Sequence, residues 1–492
     1  MKKSSAFRAV YTALLAACSA GVLRAASPNQ EFTVTTVDEL TNALTQATAN
    51  YNKIWIAPGV YYVSNAVMAS GTHLNMSTWT GAIAGTGARP EDTVIMAGGA
   101  GGEDGTRRII TFAKSYITVS NLTFACGYYT AGSGGAANNS TTYFTDCVFS
   151  NNYAGSFGGA IDCPATVRRC TFISNSSKTG GGALRVSGTS WVADSVFTNN
   201  LSAKGGVAYY STFFTNCQFY CNSATNGDGG AVRQEGTVPL LFTDCEFVGN
   251  TATASGSAVT TCDALTNCVF KRNNGGVRVV YSCKEAVNCE FADNVMTQPI
   301  ISGGTFIKCR FTGNRGTGAN SVSLLTASTN INCFIANNTA GQHNMAAIGG
   351  SSSFFNCTIV SNYYWNETYA STLYKDCVAI NTILAKNDPY DVAAQYAPMT
   401  NCLWVTQNTT PPADKAVDCL ALTDPKFTDA QNGDYTLSRT SPARDKGFSD
   451  GDYLLRVGAT DLLMNPRVKF GGIDLGCYEC PFSPRGLSVR LY

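Results

Sequence analysis

The chain has 492 residues, only 14% of them charged, and a formal net charge of +1, which excludes a nucleic-acid binder or a protein held to a membrane by charge. Its 48 glycines, with abundant Asn, Thr and Ser, suit a turn-rich all-β protein. Histidine occurs only twice, at His73 and His343, which argues against a zinc site built on His and Cys.

Residues 1–26 read as an export signal. Lys2, Lys3 and Arg8 precede an apolar stretch from Ala9 to Ala17, too short to span a bilayer. Leu15-Ala16-Ala17-Cys18 is similar to a bacterial lipobox, which would put a lipid on Cys18, whereas Cys18-Ser19-Ala20 fits a cut after Ala20 and a third site lies near Ser27. No later stretch is a transmembrane candidate. Residues 31–423 are expected to form one domain. It opens with the strand Phe32-Thr33-Val34 and a helix that carries Leu40, Ala43, Leu44 and Ala47 on one side. That helix would cover the open N-terminal end.

From about residue 141 a repeat with three marks takes over. A polar-Cys-x-Phe tetrad recurs at Cys147, Cys170, Cys217, Cys245, Cys268, Cys289 and Cys309, and an Asn follows each Phe by three (Asn152, Asn175, Asn222, Asn250, Asn273, Asn294, Asn314). A Gly-Gly-small turn completes the unit at 134–136, 158–160, 181–183 and 229–231. The Cys position steps through Ser195, Cys333, Cys357 and Cys377 to Cys402, 255 residues in eleven steps, about 23 each. That period, with Thr, Val and Phe alternation, predicts a single right-handed parallel β-helix solenoid. Cys and Phe, two apart, point into the coil. Stacked in-register thiols have parallel Cβ vectors about 4.8 Å apart, too far for a disulfide, so a ladder of free buried thiols is expected. The Asn is expected to turn the chain in the left-handed conformation and to bond along a stack of like amides.

Register alone picks out one surface. Two residues past the small residue of the Gly-Gly turn, successive coils place Asp162, Arg185, Tyr209 and Arg233, with Ile161, Leu184, Ala208 and Val232 inward. This column is expected to face water, with Tyr209 between two guanidiniums, Arg185 paired to Asp162, and Arg233 free to hold an acidic sugar. A second candidate is Tyr363, Tyr364, Trp365 and Tyr369, on a bulge expected to leave the coil after Asn362. After 405–422, which reads as a loop, residues 424–492 are expected to be last coils, a C-terminal cap and an anchor-like segment.

The Phe-x-x-Asn and Gly-Gly-Ala marks over about residues 120–360 resemble the polymorphic outer-membrane protein repeat family, surface adhesins of the autotransporter type. The resemblance implies a passenger-like β-helix at the cell surface or outside the cell. It stops at the C-terminus, where the run of amphipathic strands of an autotransporter barrel is missing from the sequence. Asp424-Pro425-Lys426-Phe427, Gly433-Asp434-Tyr435, Ser441-Pro442-Ala443 and Asp474-Leu475-Gly476-Cys477-Tyr478-Glu479 are similar to the C-terminal segment of many secreted bacterial β-helix proteins, a segment associated with anchoring or sorting. The helix and the Pro58-Gly59-Val60-Tyr61 turn look like the pectin-lyase-like superfamily, which contains polysaccharide lyases and hydrolases.

Three readings follow. The preferred one is a non-catalytic adhesin or glycan-binding protein, expected as a monomer, whose partner is an extracellular glycan or a host or cell-surface component. The first alternative is a polysaccharide lyase or glycoside hydrolase. Ca²⁺ would enter only as a lyase cofactor; no cofactor is otherwise expected, and the sequence shows no clustered carboxylates of calcium-loop spacing. The second alternative is a structural envelope component.

Overall fold

The computed structural model describes residues 30–482 except 47–51, 64–71, 77–79, 99–106, 140, 164, 187–189, 211–212, 237–238, 318–323, 341–347, 365–371, 374–375, 389–390, 392–396, 406–411 and 470. The export signal and Cys18 lie outside these residues. From Glu31 to Leu422 the chain winds as a parallel β-helix. One long sheet takes two short strands from most coils, such as Ile161–Asp162 and Ala165–Arg168, and a sixteen-stranded sheet takes one. The third side carries two-residue strands in groups of six and four. These are called the first, second and third sheets below.

Inward positions stack like on like. Phe149, Phe172, Phe197, Phe219, Phe247, Phe270, Phe291 and Phe311 are fully buried and pair in register. Neighbouring rings lie 4.5–5.2 Å apart along this run. The N-terminal helix, α1 (Val37–Gln46), starts where Glu39 accepts from the amides of Thr35 and Thr36, and it buries Leu40, Ala43 and Leu44 against the first coils.

Every described cysteine is a free thiol. Each ladder thiol donates to the carbonyl two residues before it, as Cys147 does to Thr145 at 3.3 Å. Burial pushes the thiols of Cys147, Cys245, Cys268, Cys309, Cys357 and Cys402 well above their ordinary range. Two details differ from expectation. The column position after Cys357 is Thr382, not Cys377: the Thr382 hydroxyl receives the Cys357 amide, and the column runs on through Cys402 to Cys419. Cys377 instead precedes Val378 in the first sheet, level with Ser352. A Thr hydroxyl and a thiol fill the same small volume, so sequence spacing favoured the wrong one.

The second difference is the turn. The repeating Asn is not the left-handed residue. Positive φ falls on the residue before it (Asn151, Ser174, Asn199) and on the one before the Cys (Asp146, Arg169, Asn216). This frees the Asn side chain to point inward. Asn222 donates its amide N–H and its Nδ2 to Oδ1 of Asn250, and Nδ2 also to the Phe197 carbonyl, and the pattern repeats from Asn152 to Asn387. Buried Asp391 ends the ladder by accepting both donors of Asn387. In the Gly-Gly turn the first glycine takes positive φ, while the second is fixed by proximity. A Cβ on Gly206 would sit 2.1 Å from the Gly230 carbonyl of the next coil.

Residues 424–482 do not continue the coil. They form an antiparallel pair (Phe427–Asp429 with Asp434–Leu437) and a short helix, α2 (Gly451–Val457), and lie on the outward side of the last coils. There the outward positions of the second sheet turn apolar: Phe334, Ala336, Val360, Ile383, Ala385 and Leu403 are buried with Tyr435, Leu437, Leu475 and Tyr478. The left-handed asparagines at the corner supply the polar half of the joint. Asn356 donates to the carbonyls of Asp474 and Gly476 and accepts from the Tyr453 hydroxyl at 2.6 Å, and Asn381 exchanges two hydrogen bonds with Phe448. Arg467, fully buried, bonds Glu479 at 2.6 Å, the Gly476 carbonyl and Asn332. Asp461 accepts from the amides of Leu463, Asn465 and Glu479. Asp474, Gly476, Tyr478 and Glu479 of the anchor-like motif thus take part in the joint between this segment and the coil.

Candidate ligand-binding face

The four column residues are in register as expected, Asp162 beside Arg185, Arg185 beside Tyr209 and Tyr209 beside Arg233. Ile161, Leu184, Ala208 and Val232 point inward and are fully buried. The column is less open than expected: Asp162 is 6% and Tyr209 9% exposed, while both arginines are half-buried. The adjoining turn bends over it. Phe157 lies 5.2 Å from the Tyr209 ring and 5.0 Å from the Arg185 guanidinium. Tyr209 therefore has one guanidinium over it, that of Arg233 at 5.7 Å, and a phenyl ring where the second was expected.

Arg185 grips both oxygens of Asp162, as expected. Arg233 is not free. It bonds Asp228 at 2.9 Å and Glu235 at 3.1 Å, one in the preceding turn and one two residues on. The Tyr209 hydroxyl donates to Glu235 at 3.0 Å. Burial, then the bond to Glu235, raises the Tyr209 pKa, so the phenol stays protonated at neutral pH. Burial also raises Asp162 against the pull of Arg185. For Glu235, burial is outweighed by the bonds from Tyr209 and Arg233, which hold it below the ordinary range. Arg108, buried on the strand two coils before Asp162, bonds the carbonyls of Gly134 and Ser133 and the Thr111 hydroxyl.

Across the bend of the same sheet lies a second outward column that sequence reasoning missed. Tyr143, Thr166, Trp191, Phe213 and Leu241 occupy matching positions in five consecutive coils, all half-buried. Tyr116, 65% exposed, stacks on Tyr143 at 6.4 Å. Two residues further along each strand stand Thr145, Arg168, Ala193, Thr215 and Thr243. The signal was available: each of these positions lies one residue before an inward apolar one (Phe144, Val167, Val192, Phe214, Phe242), and the left-handed residue before the Cys position separates that strand from the next.

Of the second candidate, Tyr363–Tyr364 is still a strand in register with Thr339–Ala340, so the coil does not break at Asn362. The Asn ladder holds it: the Asn362 amide bonds Asn387, and Tyr363 donates to the Asn338 carbonyl at 2.8 Å. Tyr363 is 43% exposed. Trp365 and Tyr369 lie outside the described residues. Among the described residues no group of three or more His, Cys, Asp or Glu is gathered to hold a metal, and no helix is long and apolar enough to cross a membrane.

The family model of the Chlamydia polymorphic membrane protein repeat matches residues 146–164, one unit that carries all three marks. No curated protein matches the chain. Among solved structures it is similar to the PL6 family alginate lyase AlyGC, at 12% identity and a TM-score of 0.36 over 86% of this chain and 58% of that one. It is also similar to the Azotobacter vinelandii mannuronan C-5 epimerase AlgE4 A-module, at 15% identity and a TM-score of 0.34 over 65% and 93% of the two chains. Tailspike protein 3 of bacteriophage CBA120 follows at 11% identity and a TM-score of 0.35 over 77% and 62%.

Proposed function

We propose that this chain is an exported, surface-held β-helix protein that binds an extracellular glycan or another cell-surface component without turning it over. The observation that carries the reading is the saturation of the charged column. Arg185, Arg233, Asp162, Glu235 and the Tyr209 hydroxyl are all bonded to one another or to Asp228, on a rigid sheet whose inner side is fully buried. Catalysis of eliminative or hydrolytic type needs a base or an acid within reach of the ligand and near its working pKa. Tyr209, raised and donating to Glu235, lacks that poise, and so does Glu235, held ionised by two donors. Such a face offers shape and hydrogen bonding instead of reactivity.

The test is a screen of the mature chain, from Ser27, against acidic and neutral polysaccharides with and without Ca²⁺. It follows both retention and new unsaturated or reducing ends. Retention without new ends is expected. New ends, lost on changing Arg185, Tyr209 or Arg233, would make the protein a polysaccharide lyase or hydrolase and overturn the reading. Failure to retain any polysaccharide would shift the assignment to a structural envelope component.

A further inference from the structure

We infer that the aromatic column Tyr143–Trp191–Phe213 is the platform of that binding face and that its ligand is a neutral, extended polysaccharide with flat apolar ring faces. The inference rests on the glycan reading above and narrows it. Its first support is spacing. In-register parallel strands set neighbouring positions about 4.8 Å apart, so Trp191 and Phe213 stand one step apart and Tyr143 two steps before Trp191. One step is close to the advance of one sugar unit in an extended chain, so a chain lying along the solenoid axis meets the rings in its own repeat. Half-buried aromatic side chains give apolar C–H faces of sugars a surface to cover.

The second support is the polar flank. Thr145, Thr215 and Thr243 line the strand positions next to the rings, each half-buried. A threonine hydroxyl both donates and accepts, which matches sugar hydroxyls and not a fixed charge. The third is charge. The guanidiniums bordering the platform already hold carboxylates: Arg185 with Asp162, Arg233 with Asp228 and Glu235, Arg168 with Asp194, and Arg169 with Asp146. An acidic polymer would have to displace those carboxylates and lie beside them, which like-charge repulsion opposes. A neutral chain meets no such cost.

The experiment compares wild type with Trp191→Thr, Phe213→Thr and the double variant by affinity electrophoresis. The gels carry a soluble β-1,4-glucan, a β-mannan, alginate or pectate. Threonine is the chosen replacement because Thr166 and Thr118 already occupy this column, so the coil accepts it. Unchanged thermal unfolding checks the fold, and Lys271→Gln on the second sheet serves as a control that leaves binding alone. Binding to a neutral polymer that weakens by about tenfold for each ring removed is expected. Neutral binding that survives the double variant overturns the inference. Binding to the acidic polymers alone, lost on Arg185→Gln or Arg233→Gln, also overturns it while leaving the glycan reading in place. Binding to none of the four overturns both.

Discussion

Asn250→Ala probes the ladder at its middle. The Asn250 Oδ1 accepts from the Asn222 amide and Nδ2, both at 3.0 Å, and its Nδ2 donates to the Phe219 carbonyl at 2.8 Å and to Asn273 at 3.0 Å. Alanine removes all four bonds and leaves the Asn222 N–H without its acceptor in a fully buried site. Four neutral bonds at about 1 kcal/mol each, with an orphaned donor adding about 1–2 kcal/mol, give a loss of about 5–6 kcal/mol. In a solenoid each coil touches only its neighbours, so the loss should concentrate on the coils around residues 222–273 and not spread evenly. Native-state hydrogen exchange reads this directly. The amide of Asn222 should lose most of its protection, while that of Asn338, several coils away, should change little. Asn274→Ala, whose exposed side chain bonds only the next amide, is the matched control and should cost under about 0.5 kcal/mol. A loss under about 1 kcal/mol for Asn250→Ala, with the Asn222 amide still protected, would refute the ladder as a source of stability.

Two further outcomes follow from buried charges. Arg467→Met should destabilise the 424–482 segment by about 3–5 kcal/mol, because Glu479 is left buried without its partner; limited proteolysis should then release the segment while the coil stays intact, and Arg467→Met with Glu479→Gln should recover part of the loss. Asp391, pushed up to about 6 chiefly by burial against the pull of the Asn387 bonds, favours its protonated form in the folded state. Its contribution is therefore fully present below the ordinary carboxylate range and is lost as pH rises through about 6. Denaturant unfolding at pH 4.5 and 7.5 should show this as a difference of about 2 kcal/mol that Asp391→Asn flattens; a wild type and variant with parallel pH profiles would contradict the assignment.

The architecture was legible because the repeat encodes it many times over. Phe, Cys and Asn at fixed offsets can satisfy burial only when stacked, and one coil predicts the next. What failed was information that a period averages away. Thr382 and Cys377 compete for one slot, and only pairing with Ile383 and Leu403 decides between them. The free Arg233 was inferred by comparing coils, whereas its partners, Asp228 and Glu235, lie within its own coil. The side-docking of 424–482 was written in the outward positions of the last coils, where Phe334, Ile383 and Leu403 replace the Thr171, Gln218 and Glu246 of earlier ones. Nothing local in 424–482 itself distinguishes lying beside the coil from capping its end. The aromatic platform was hidden for a related reason. Single exposed rings are ordinary, and only register turns Tyr143, Trp191 and Phe213 into neighbours.

The amide ladder also makes the length of this protein a discrete quantity. Each rung receives from one side and gives to the other in the same sense, so removing a whole coil joins two identical rungs and leaves no group unsatisfied. Removing only part of a coil puts the rungs on either side out of register, and an odd number of residues also reverses which side chains face inward. Such a molecule lengthens or shortens only in steps of about 4.8 Å, one complete turn at a time. Any surface built on its flank is rescaled in the same whole-number increments.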